Sequence, residues 1–222
     1  MSHAFAAVLF DLDGTLVDTA PDFIAVLNRQ LASRNLPTLP AETIRKAVSQ
    51  GARTVVALGF GHLGLDSPEF ELMRQEFLDH YEAHLADHTR LFDGMEAVLQ
   101  QLEAEGTPWG IVTNKSSRFT LPLLRALKLD QRCAVAICPD MVTRTKPDPE
   151  PMFKACSVIG VSPEQVLYVG DHLRDIEAGR NAGMPTASAA WGYIPDTENI
   201  LDWRADYALN SVADLQALLN PA

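Results

Sequence analysis

The feature that most constrains the fold is an apolar run near the start of the chain that ends abruptly in acidic residues. Residues 6–10 are apolar, Asp11 and Asp13 follow at a spacing of two, and a Gly-Thr turn comes next. In an extended chain this spacing puts both carboxylates on one side, and open α/β sheets bind ligands at the carboxyl ends of their strands. The pair can therefore hold a divalent cation and supply a nucleophile and an acid/base group. Asp and Gly are also common in ordinary turns.

From about residue 91 onward, predicted helices alternate with predicted strands. This alternation implies a parallel sheet with helices on both faces, which is a Rossmann-like, doubly wound α/β fold. The strand at residues 6–10 belongs to the same sheet. The later strands are predicted at residues 109–112, 134–137, 166–169, 186–190 and 207–209, and the helices at residues 94–102, 119–129, 151–159, 175–181 and 212–219.

Between the first strand and this region, every predicted element is helical. Thr19 and Pro21 are typical of a helix start, and apolar residues then recur at helical spacing without a β-branched alternating run. We interpret residues 17–90 as an all-helical insertion that forms a small cap domain above the strand ends. Residues 1–16 and 91–222 would form the core domain.

The charge of the chain limits the partners that it can bind. Its 222 residues carry a formal net charge of −11. Nucleic acids and anionic membranes are bound through clusters of Lys and Arg, so neither is expected, whereas a small phosphate ester needs only local cations and a metal. The N-terminus lacks the basic flank of a signal peptide, and no stretch is long enough to span a bilayer. We expect a cytoplasmic protein, either a monomer or a homodimer.

Two further candidates for chemistry follow later strands. Thr113 and Asn114 come directly after the strand at residues 109–112, where a hydroxyl group and backbone N–H groups can bind phosphate oxygens. Lys146 precedes a proline, which restricts its backbone, so its ammonium group is directed with less loss of entropy. Each has an ordinary alternative, since a hydroxyl residue after a strand is often a helix cap and an isolated lysine is usually solvated.

The last candidate is the segment after the strand at residues 166–169. Asp171 falls at the carboxyl end of this strand, and Asp175 lies one helical turn later on the same face. Together with Asp11 and the backbone carbonyl of Asp13, Asp171 could supply an oxygen-rich Mg²⁺ site. Acidic residues are also favoured at helix starts by the macrodipole. Because all these features fall at the ends of separate strands of one predicted sheet, a shared site is favoured.

Taken together, these motifs resemble those of the haloacid dehalogenase superfamily, and the resemblance covers nearly the whole chain. The DxDGT motif corresponds to residues 11–15, the second and third motifs to Thr113 and Lys146, and GDxxxD to residues 170–175. The helical insertion after the first motif resembles the cap of the phosphoglycolate phosphatase-like branch. Within that branch, several stretches are similar to those of bacterial N-acetylmuramic acid 6-phosphate phosphatases: DTAPDFIA, ICPDMV, KPDPEP, GDHLRDIEAGRNAG and WGYIPDTEN.

The resemblance implies a Mg²⁺-dependent phosphatase with a covalent intermediate. Asp11 would attack the phosphorus and form an aspartyl-phosphate, and Asp13 would protonate the leaving alcohol and then activate the hydrolytic water. Mg²⁺ and Lys146 would neutralise charge on the transferring group, and Thr113 would donate a hydrogen bond to it. The expected metal-binding residues are Asp11, Asp13 and Asp171.

The resemblance also implies supporting roles for residues near these motifs. Gly14, Thr15 and Asn114 are expected to bind the substrate phosphate, and Asp175 to hold the lysine of the third motif or a metal-bound water. No catalytic role is expected for His172.

Substrate selectivity is expected to come from the cap, which would open and close on hinges near Val17 and Arg90. Arg53 lies in a segment that matches the substrate loop of relatives and would pair with a substrate carboxylate, unless it is a solvated arginine on a helix face. Both 2-phosphoglycolate and N-acetylmuramic acid 6-phosphate carry a carboxylate, so Arg53 does not separate them. The dehalogenases and phosphonatases of the superfamily lack the second aspartate of the first motif, so the resemblance, with Asp13 present, favours a phosphatase or phosphomutase. A β-phosphoglucomutase-like phosphomutase and a non-catalytic phosphate-binding regulatory protein stay open as alternatives.

Overall fold

A computed structural model of the chain describes residues 5–220. Among these residues, no helix is both long and apolar enough to cross a membrane. The strands are β1 (Ala7–Phe10), β2 (Val17–Asp18), β3 (Arg90–Leu91), β4 (Trp109–Val112), β5 (Val135–Ile137), β6 (Val166–Gly170), β7 (Thr186–Ala189) and β8 (Tyr207–Leu209). The α-helices are α1 (Ala20–Ala32), α2 (Ala41–Arg45), α3 (Ala52–Phe60), α4 (Pro68–Ala83), α5 (Met95–Ala104), α6 (Ser117–Ala126), α7 (Glu150–Ile159), α8 (Leu173–Asn181) and α9 (Val212–Leu219).

Six of the described strands form one parallel sheet in the order β5-β4-β1-β6-β7-β8. Phe10 of β1 stands beside Ile111 of β4 on one side and Val169 of β6 on the other. The chain builds one half of the sheet outward from β1 and then returns to build the other half from β6, which is the strand order of a doubly wound Rossmann fold. The predicted fold class is confirmed. The order reverses between β1 and β6, where such sheets bind ligands.

The central strand is buried on both faces because its residues alternate between two hydrophobic clusters. Val8 and Phe10 belong to the cluster formed with α5, α6 and α9, whereas Ala7 and Leu9 belong to the cluster formed with α7 and α8. All four side chains are fully buried. Burying a leucine or phenylalanine side chain contributes about 1.5–3 kcal/mol, so both helical layers hold in place the strand that ends at Asp11.

Helices α1–α4, which we call the helical block (residues 20–83), form a hydrophobic cluster of their own. Phe23 and Tyr81 lie inside it, with ring centroids 4.3 Å apart. Phe119 of α6 and Tyr193, from the loop after β7, join the same cluster. The helical block therefore contacts the rest of the chain through aromatic side chains near the sheet edge.

The chain enters and leaves the helical block through a short antiparallel pair of strands. Val17 of β2 pairs with Leu91 of β3, and Asp18 pairs with Arg90. These are the positions at which we expected hinges. Each strand has only two residues, which is too short to produce an alternating pattern in the sequence.

Helix α8 begins at Leu173 rather than at the predicted Asp175. The reason is a capping box: His172 Nδ1 accepts a hydrogen bond from the N–H of Arg174, and the Asp175 carboxylate accepts one from the N–H of His172. This reciprocal cap extends the helix toward β6 and fixes the Asp175 carboxylate near the strand end.

Candidate active site

Three of the predicted site residues lie together at the carboxyl edge of the sheet. Asp11 follows β1, Thr113 follows β4 and Asp171 follows β6. The Asp11 N–H donates a 2.9 Å hydrogen bond to the carbonyl of Val169, which continues the pairing of β1 with β6 beyond the end of β1. All three side chains are buried. The residues meet where the strand order reverses.

The turn after Asp13 packs tightly against Asp171. Gly14 has a φ of +85°, and a Cβ at this position would lie 2.2 Å from Asp171 Oδ2. Only glycine satisfies both the left-handed backbone and the close approach. Thr15 Oγ1 donates a 2.9 Å hydrogen bond to Asp171 Oδ1. In this structure Gly14 and Thr15 therefore support the Asp171 carboxylate, and neither is among the residues that line the cavity described below.

Lys146 is a buried cation that joins two acidic residues. Its Nζ lies 2.9 Å from Asp11 Oδ1 and 2.7 Å from Asp175 Oδ1. It also donates hydrogen bonds of 2.9 Å to the carbonyl of Val112 and to the hydroxyl of Tyr168. Burial lowers the pKa of Lys146, but the two carboxylates outweigh burial and the pKa lies above its ordinary value. The ammonium group is therefore charged at neutral pH.

The charges around Asp11 keep its carboxylate ionised. Burial raises the pKa of Asp11, but the Lys146 ammonium and, to a smaller extent, the Arg174 guanidinium outweigh burial. The net pKa lies below the ordinary value. An ionised, partly desolvated carboxylate at the end of a strand is suited to act as a nucleophile.

The Asp171 carboxylate accepts hydrogen bonds from three groups. Thr15 Oγ1, Ser49 Oγ and the N–H of Tyr193 donate to it at 2.9, 2.8 and 2.9 Å. Even so, burial raises the pKa of Asp171 to about 7, and the neighbouring carboxylates of Asp11 and the capping Asp175 add to this effect. Without a further positive charge, this carboxyl group would be partly protonated near neutral pH.

The acidic residues fit a hard divalent cation. Asp11, Asp171 and Asp175 are buried, and each places one carboxylate oxygen within 4.8 Å of the others. This local excess of negative charge, which raises the pKa of Asp171, would be relieved by a cation. Oxygen ligands without thiolate or imidazole are the donor set that Mg²⁺ prefers. The carboxylate of Asp13 is outside this cluster, so a contribution from Asp13 would come through its backbone carbonyl.

The carboxylate of Asp13 has different partners. Its Oδ1 accepts hydrogen bonds from Thr19 Oγ1 at 2.6 Å and from Lys115 Nζ at 2.8 Å. Lys115 Nζ also donates to Tyr81 Oη at 2.7 Å and lies over the rings of Phe23 and Tyr81. These contacts hold the Asp13 carboxylate on the cavity wall, where an acid/base group can reach a leaving oxygen.

Thr113 and Asn114 occupy the loop after β4. Thr113 Oγ1 accepts a 3.1 Å hydrogen bond from the N–H of Lys115, and Asn114 Nδ2 donates a 3.0 Å hydrogen bond to the carbonyl of Lys146. Asn114 thus connects the loops that carry Thr113 and Lys146. Because the Thr113 hydroxyl accepts here, its own proton is free to be donated to a phosphoryl oxygen.

A cavity of about 310 Å³ lies between the carboxyl edge of the sheet and the helical block. Its lining combines polar groups at the ends of β1 and β4 with an aromatic wall and a loop of the helical block. The polar groups include Asp11, Asp13, Thr113 and Asn114, the aromatic wall consists of Phe23, Tyr81 and Phe119, and the loop is residues 48–52. An ester whose phosphoryl group binds at the polar end would place its remaining atoms against aromatic side chains.

Two basic residues that the motifs did not single out also line the cavity, Lys115 and Arg174. Lys115 directly follows Thr-Asn in the second motif, and Arg174 stands between the two aspartates of the fourth. Their position inside or beside a motif is the signal that could have identified them. The sequence pattern does not tell which way a side chain in such a loop points.

Arg53 does not reach the cavity in this structure. Its Nη2 donates to the carbonyl of Leu65 at 2.8 Å and to the Asp66 carboxylate at 2.7 Å, and half of its side chain is exposed. Gly51 and Ala52, just before it, do line the cavity. The segment that we expected to contact substrate therefore borders the site, but helix α3 carries the Arg53 guanidinium away from it.

His172 serves as a helix cap. Its Nδ1 accepts a 3.2 Å hydrogen bond from the N–H of Arg174. Burial and the nearby Arg174 guanidinium lower the pKa of His172 to about 4, so its ring is neutral at neutral pH.

The site and the fold match one known family. Residues 8–189 match the family described as "Haloacid dehalogenase-like hydrolase". The matched range runs from the second residue of β1 to the end of β7 and includes all the acidic residues of the site. The chain belongs to the haloacid dehalogenase-like hydrolases.

Within that family, the chain is similar to phosphatases along most of its length. It is 49% identical over 216 residues to N-acetylmuramic acid 6-phosphate phosphatase of Pseudomonas aeruginosa, which covers 97% of this chain and 95% of the relative. It is 47% identical over 200 residues to phosphoglycolate phosphatase of Xanthomonas campestris, which covers 90% of each. A crystal structure of a predicted phosphoglycolate phosphatase from Haemophilus somnus has a TM-score of 0.85 at 27% identity, covering 98% of this chain and 99% of that one. These comparisons confirm the expected enzyme class, a phosphoric monoester hydrolase.

Proposed function

We propose that the protein is a Mg²⁺-dependent phosphatase that hydrolyses a small carboxylate-bearing phosphomonoester through an aspartyl-phosphate on Asp11. One observation carries this proposal: the ionised Asp11 carboxylate lines a cavity, lies 2.9 Å from the buried Lys146 ammonium and belongs to the acidic cluster. Phosphoryl transfer needs a nucleophile, fixed positive charge and a site for a divalent cation, and all three would be present here.

Each step uses a residue of the cavity wall. In the first step, Asp11 attacks the phosphorus, the bond between phosphorus and the ester oxygen breaks, and Asp13 gives a proton to the leaving alcohol. In the second step, Asp13 takes a proton from a water molecule, which attacks the phosphorus and releases inorganic phosphate and the Asp11 carboxylate. Lys146 neutralises charge on the transferring group, and Thr113 donates a hydrogen bond to it.

The acidic cluster would hold the metal. Asp11 and Asp171, with the backbone carbonyl of Asp13, would bind Mg²⁺, and Asp175 would keep Lys146 in position from 2.7 Å away. When bound, Mg²⁺ neutralises charge on the phosphoryl oxygens as a Lewis acid.

Of the two candidate substrates, we favour N-acetylmuramic acid 6-phosphate. At about 310 Å³, the cavity lies at the lower end of the range of roughly 300–1,000 Å³ for ligand pockets, with more room than a two-carbon acid fills. The aromatic wall of Phe23, Tyr81 and Phe119 suits the apolar face of a sugar ring. The relative with this activity in its name is 49% identical. 2-Phosphoglycolate is the second candidate, because relatives at 47% identity are named for it.

We also propose that residues 17–90 act as a cap on a core made of residues 1–16 and 91–222. Among the hydrogen bonds that connect the parts are those from Ser49 Oγ to Asp171 at 2.8 Å and from Lys115 Nζ to Tyr81 Oη at 2.7 Å. A closed cap would exclude bulk water from the phosphoryl group. As part of the same proposal, the protein acts in the cytoplasm and binds a small molecule rather than nucleic acid or a membrane.

The test is phosphate release in the presence of Mg²⁺ from N-acetylmuramic acid 6-phosphate, 2-phosphoglycolate and glucose 1-phosphate, compared by kcat/KM. We expect a preference of at least about tenfold for N-acetylmuramic acid 6-phosphate, which equals ~1.4 kcal/mol of transition-state stabilisation. Asp11→Asn should abolish turnover while the circular dichroism spectrum is unchanged. Asp202→Asn, at an exposed position outside the cavity, is the matched control.

Other outcomes would identify the alternatives. Conversion of glucose 1-phosphate to glucose 6-phosphate without release of phosphate would identify a phosphomutase. A folded, Mg²⁺-loaded protein that hydrolyses none of the esters would contradict the proposal and favour a phosphate-binding regulatory protein.

A further inference from the structure

Arg174 is a cation at the cavity wall whose hydrogen-bonding capacity is largely unused. It stands in the first turn of α8 and lines the cavity together with the loop of the helical block. Its Nη2 donates to the backbone carbonyl of Ser49, while its Nε is buried and has no hydrogen-bond partner among the described residues. Over residues 5–220, no carboxylate pairs with its guanidinium, so the group is poised for an anion that the chain itself does not supply.

The other basic residues near the cavity are already paired. Lys146 contacts Asp11 and Asp175, and Lys115 contacts Asp13. Arg53 pairs with Asp66 outside the cavity, as described above. Arg174 is half-buried, and a buried N–H donor without a partner, such as its Nε, costs free energy that an anionic ligand would recover.

The shape and the place of Arg174 favour a carboxylate as that anion. A guanidinium presents parallel N–H donors that match the two oxygens of a carboxylate. Its bond to Ser49 directs one edge of the guanidinium toward the helical block. In the proposed mechanism Lys146 and Thr113 bind the phosphoryl group, so the second anionic group of the ester is the one that still needs a partner.

We propose that Arg174, rather than Arg53, binds the carboxylate of the substrate and thereby selects carboxylate-bearing phosphate esters. This inference rests on the proposed phosphatase function. It makes Arg174 a substrate-binding residue, and it assigns the selectivity to the core motif after β6 rather than to the helical block alone.

The experiment compares N-acetylmuramic acid 6-phosphate with N-acetylglucosamine 6-phosphate, which lacks the lactyl ether that carries the carboxylate. Arg174→Gln should lower kcat/KM roughly 10- to 100-fold for the first, as expected for a hydrogen-bonded charged group, and less than about threefold for the second. Arg174→Lys should recover part of the preference for the carboxylate-bearing ester, because lysine keeps the positive charge but lacks the parallel N–H donors of a guanidinium. Arg180→Gln, on the same helix but bonded to the carbonyls of Trp203 and Arg204, should leave both rates unchanged.

Equal losses on the two substrates would overturn the inference, since they would mean that Arg174 contacts the phosphoryl group or only supports the fold. A selective loss in Arg53→Gln but not in Arg174→Gln would overturn it too. If Arg174→Gln does not fold, the preference for the carboxylate-bearing ester is compared between the wild type and Arg174→Lys. An equal preference in the two proteins would contradict the inference, and so would the lack of any preference in both. If the wild type prefers 2-phosphoglycolate, that ester and ethyl phosphate form the pair.

Failure of the proposed function has a different signature. In that case the wild-type protein with Mg²⁺ would hydrolyse none of these esters, and both proposals would fall together. Failure of the carboxylate assignment alone leaves the wild type active and the two losses equal.

Discussion

Ser49 Oγ donates a 2.8 Å hydrogen bond to Asp171 Oδ2, which joins the helical block to the acidic cluster of the core. Ser49 lies two residues before Gly51, which has a φ of +92° and is the N-cap of α3. The backbone carbonyl of Ser49 also accepts a hydrogen bond from Arg174. One residue of the helical block is therefore bonded to two groups of the fourth motif, and the proposed cap position and the proposed metal site depend on each other.

Ser49→Ala should weaken closure of the cap without removing a reacting group. The lost hydrogen bond is worth about 1 kcal/mol, so we expect KM to rise about fivefold while kcat changes little. Steady-state kinetics with the preferred ester measure this effect. Ser157→Ala, on the exposed face of α7, is the matched control. A KM equal to that of the wild type would mean that the contact does not contribute to closure.

Asp13→Asn should affect substrates according to their leaving groups. A sugar alcohol needs a proton to leave, whereas p-nitrophenolate does not, so formation of the aspartyl-phosphate should slow far more for the sugar phosphate. The second step still lacks its base, and p-nitrophenyl phosphate should give a burst of about one p-nitrophenol per enzyme. Rapid-mixing kinetics detect the burst. Equal slowing of both substrates, with no burst, would argue against an acid/base role for Asp13.

The stability of the metal-free protein should fall as the pH rises toward 7. Asp171 has an ordinary pKa of 3.8 and a folded-state pKa of about 7, so between these values the folded state binds the extra proton and loses stability with increasing pH. The full effect is on the order of 4 kcal/mol, at 1.36 kcal/mol per pKa unit. In EDTA, wild-type Tm should fall from pH 5 to pH 8 more steeply than that of Asp171→Asn.

Addition of Mg²⁺ should reverse this loss in the wild type and have little effect on Asp171→Asn, because the cation then compensates the buried charge. Asp202→Asn should follow the wild type in both conditions. The Tm of each protein is measured by thermal unfolding at each pH. If Tm changes with pH in the same way for the wild type and Asp171→Asn, Asp171 is not the carboxyl group that causes the loss of stability.

Phe119→Leu should distinguish a sugar-sized substrate from a two-carbon one. Phe119 is nearly buried, lines the cavity and packs against Tyr81 with ring centroids 5.8 Å apart. Loss of its ring face should raise KM for N-acetylmuramic acid 6-phosphate about fivefold, or ~1 kcal/mol, and should leave KM for 2-phosphoglycolate nearly unchanged. The exposed Phe153 of α7, replaced by Leu, is the control. Equal changes for the two esters would indicate a general effect on the fold.

The sheet and the acidic residues at its edge could be predicted because the signals are local. Asp11 interrupts an apolar strand, and Asp171 follows another, so the strand ends are marked in the sequence itself. The topology rule for doubly wound sheets then brings these ends together. Lys146 could be singled out by its prolines, although its contacts with Asp11 and Asp175 depend on packing across the sheet.

Other features depend on side-chain direction or on pairing over long distances. Lys115 and Arg174 follow residues that were singled out, but only the fold turns them toward the cavity. Arg53 follows a segment that does line the cavity, and α3 turns it away. The pairing of Val17 with Leu91 joins two residues of β2 and β3 that are far apart in sequence, and no periodicity of two residues can indicate it.

The antiparallel pair of β2 and β3 has a consequence for how such a chain can evolve. Paired strands lie about 4.8 Å apart, so the two chain crossings are as close as the ends of a tight hairpin turn. Everything between them can therefore be lengthened, shortened or exchanged for another module without moving β1 or β4. Asp11 and Lys146 lie in the part of the chain that such an exchange would leave in place. The surface that contacts the substrate could therefore change while the proposed reacting groups stay the same.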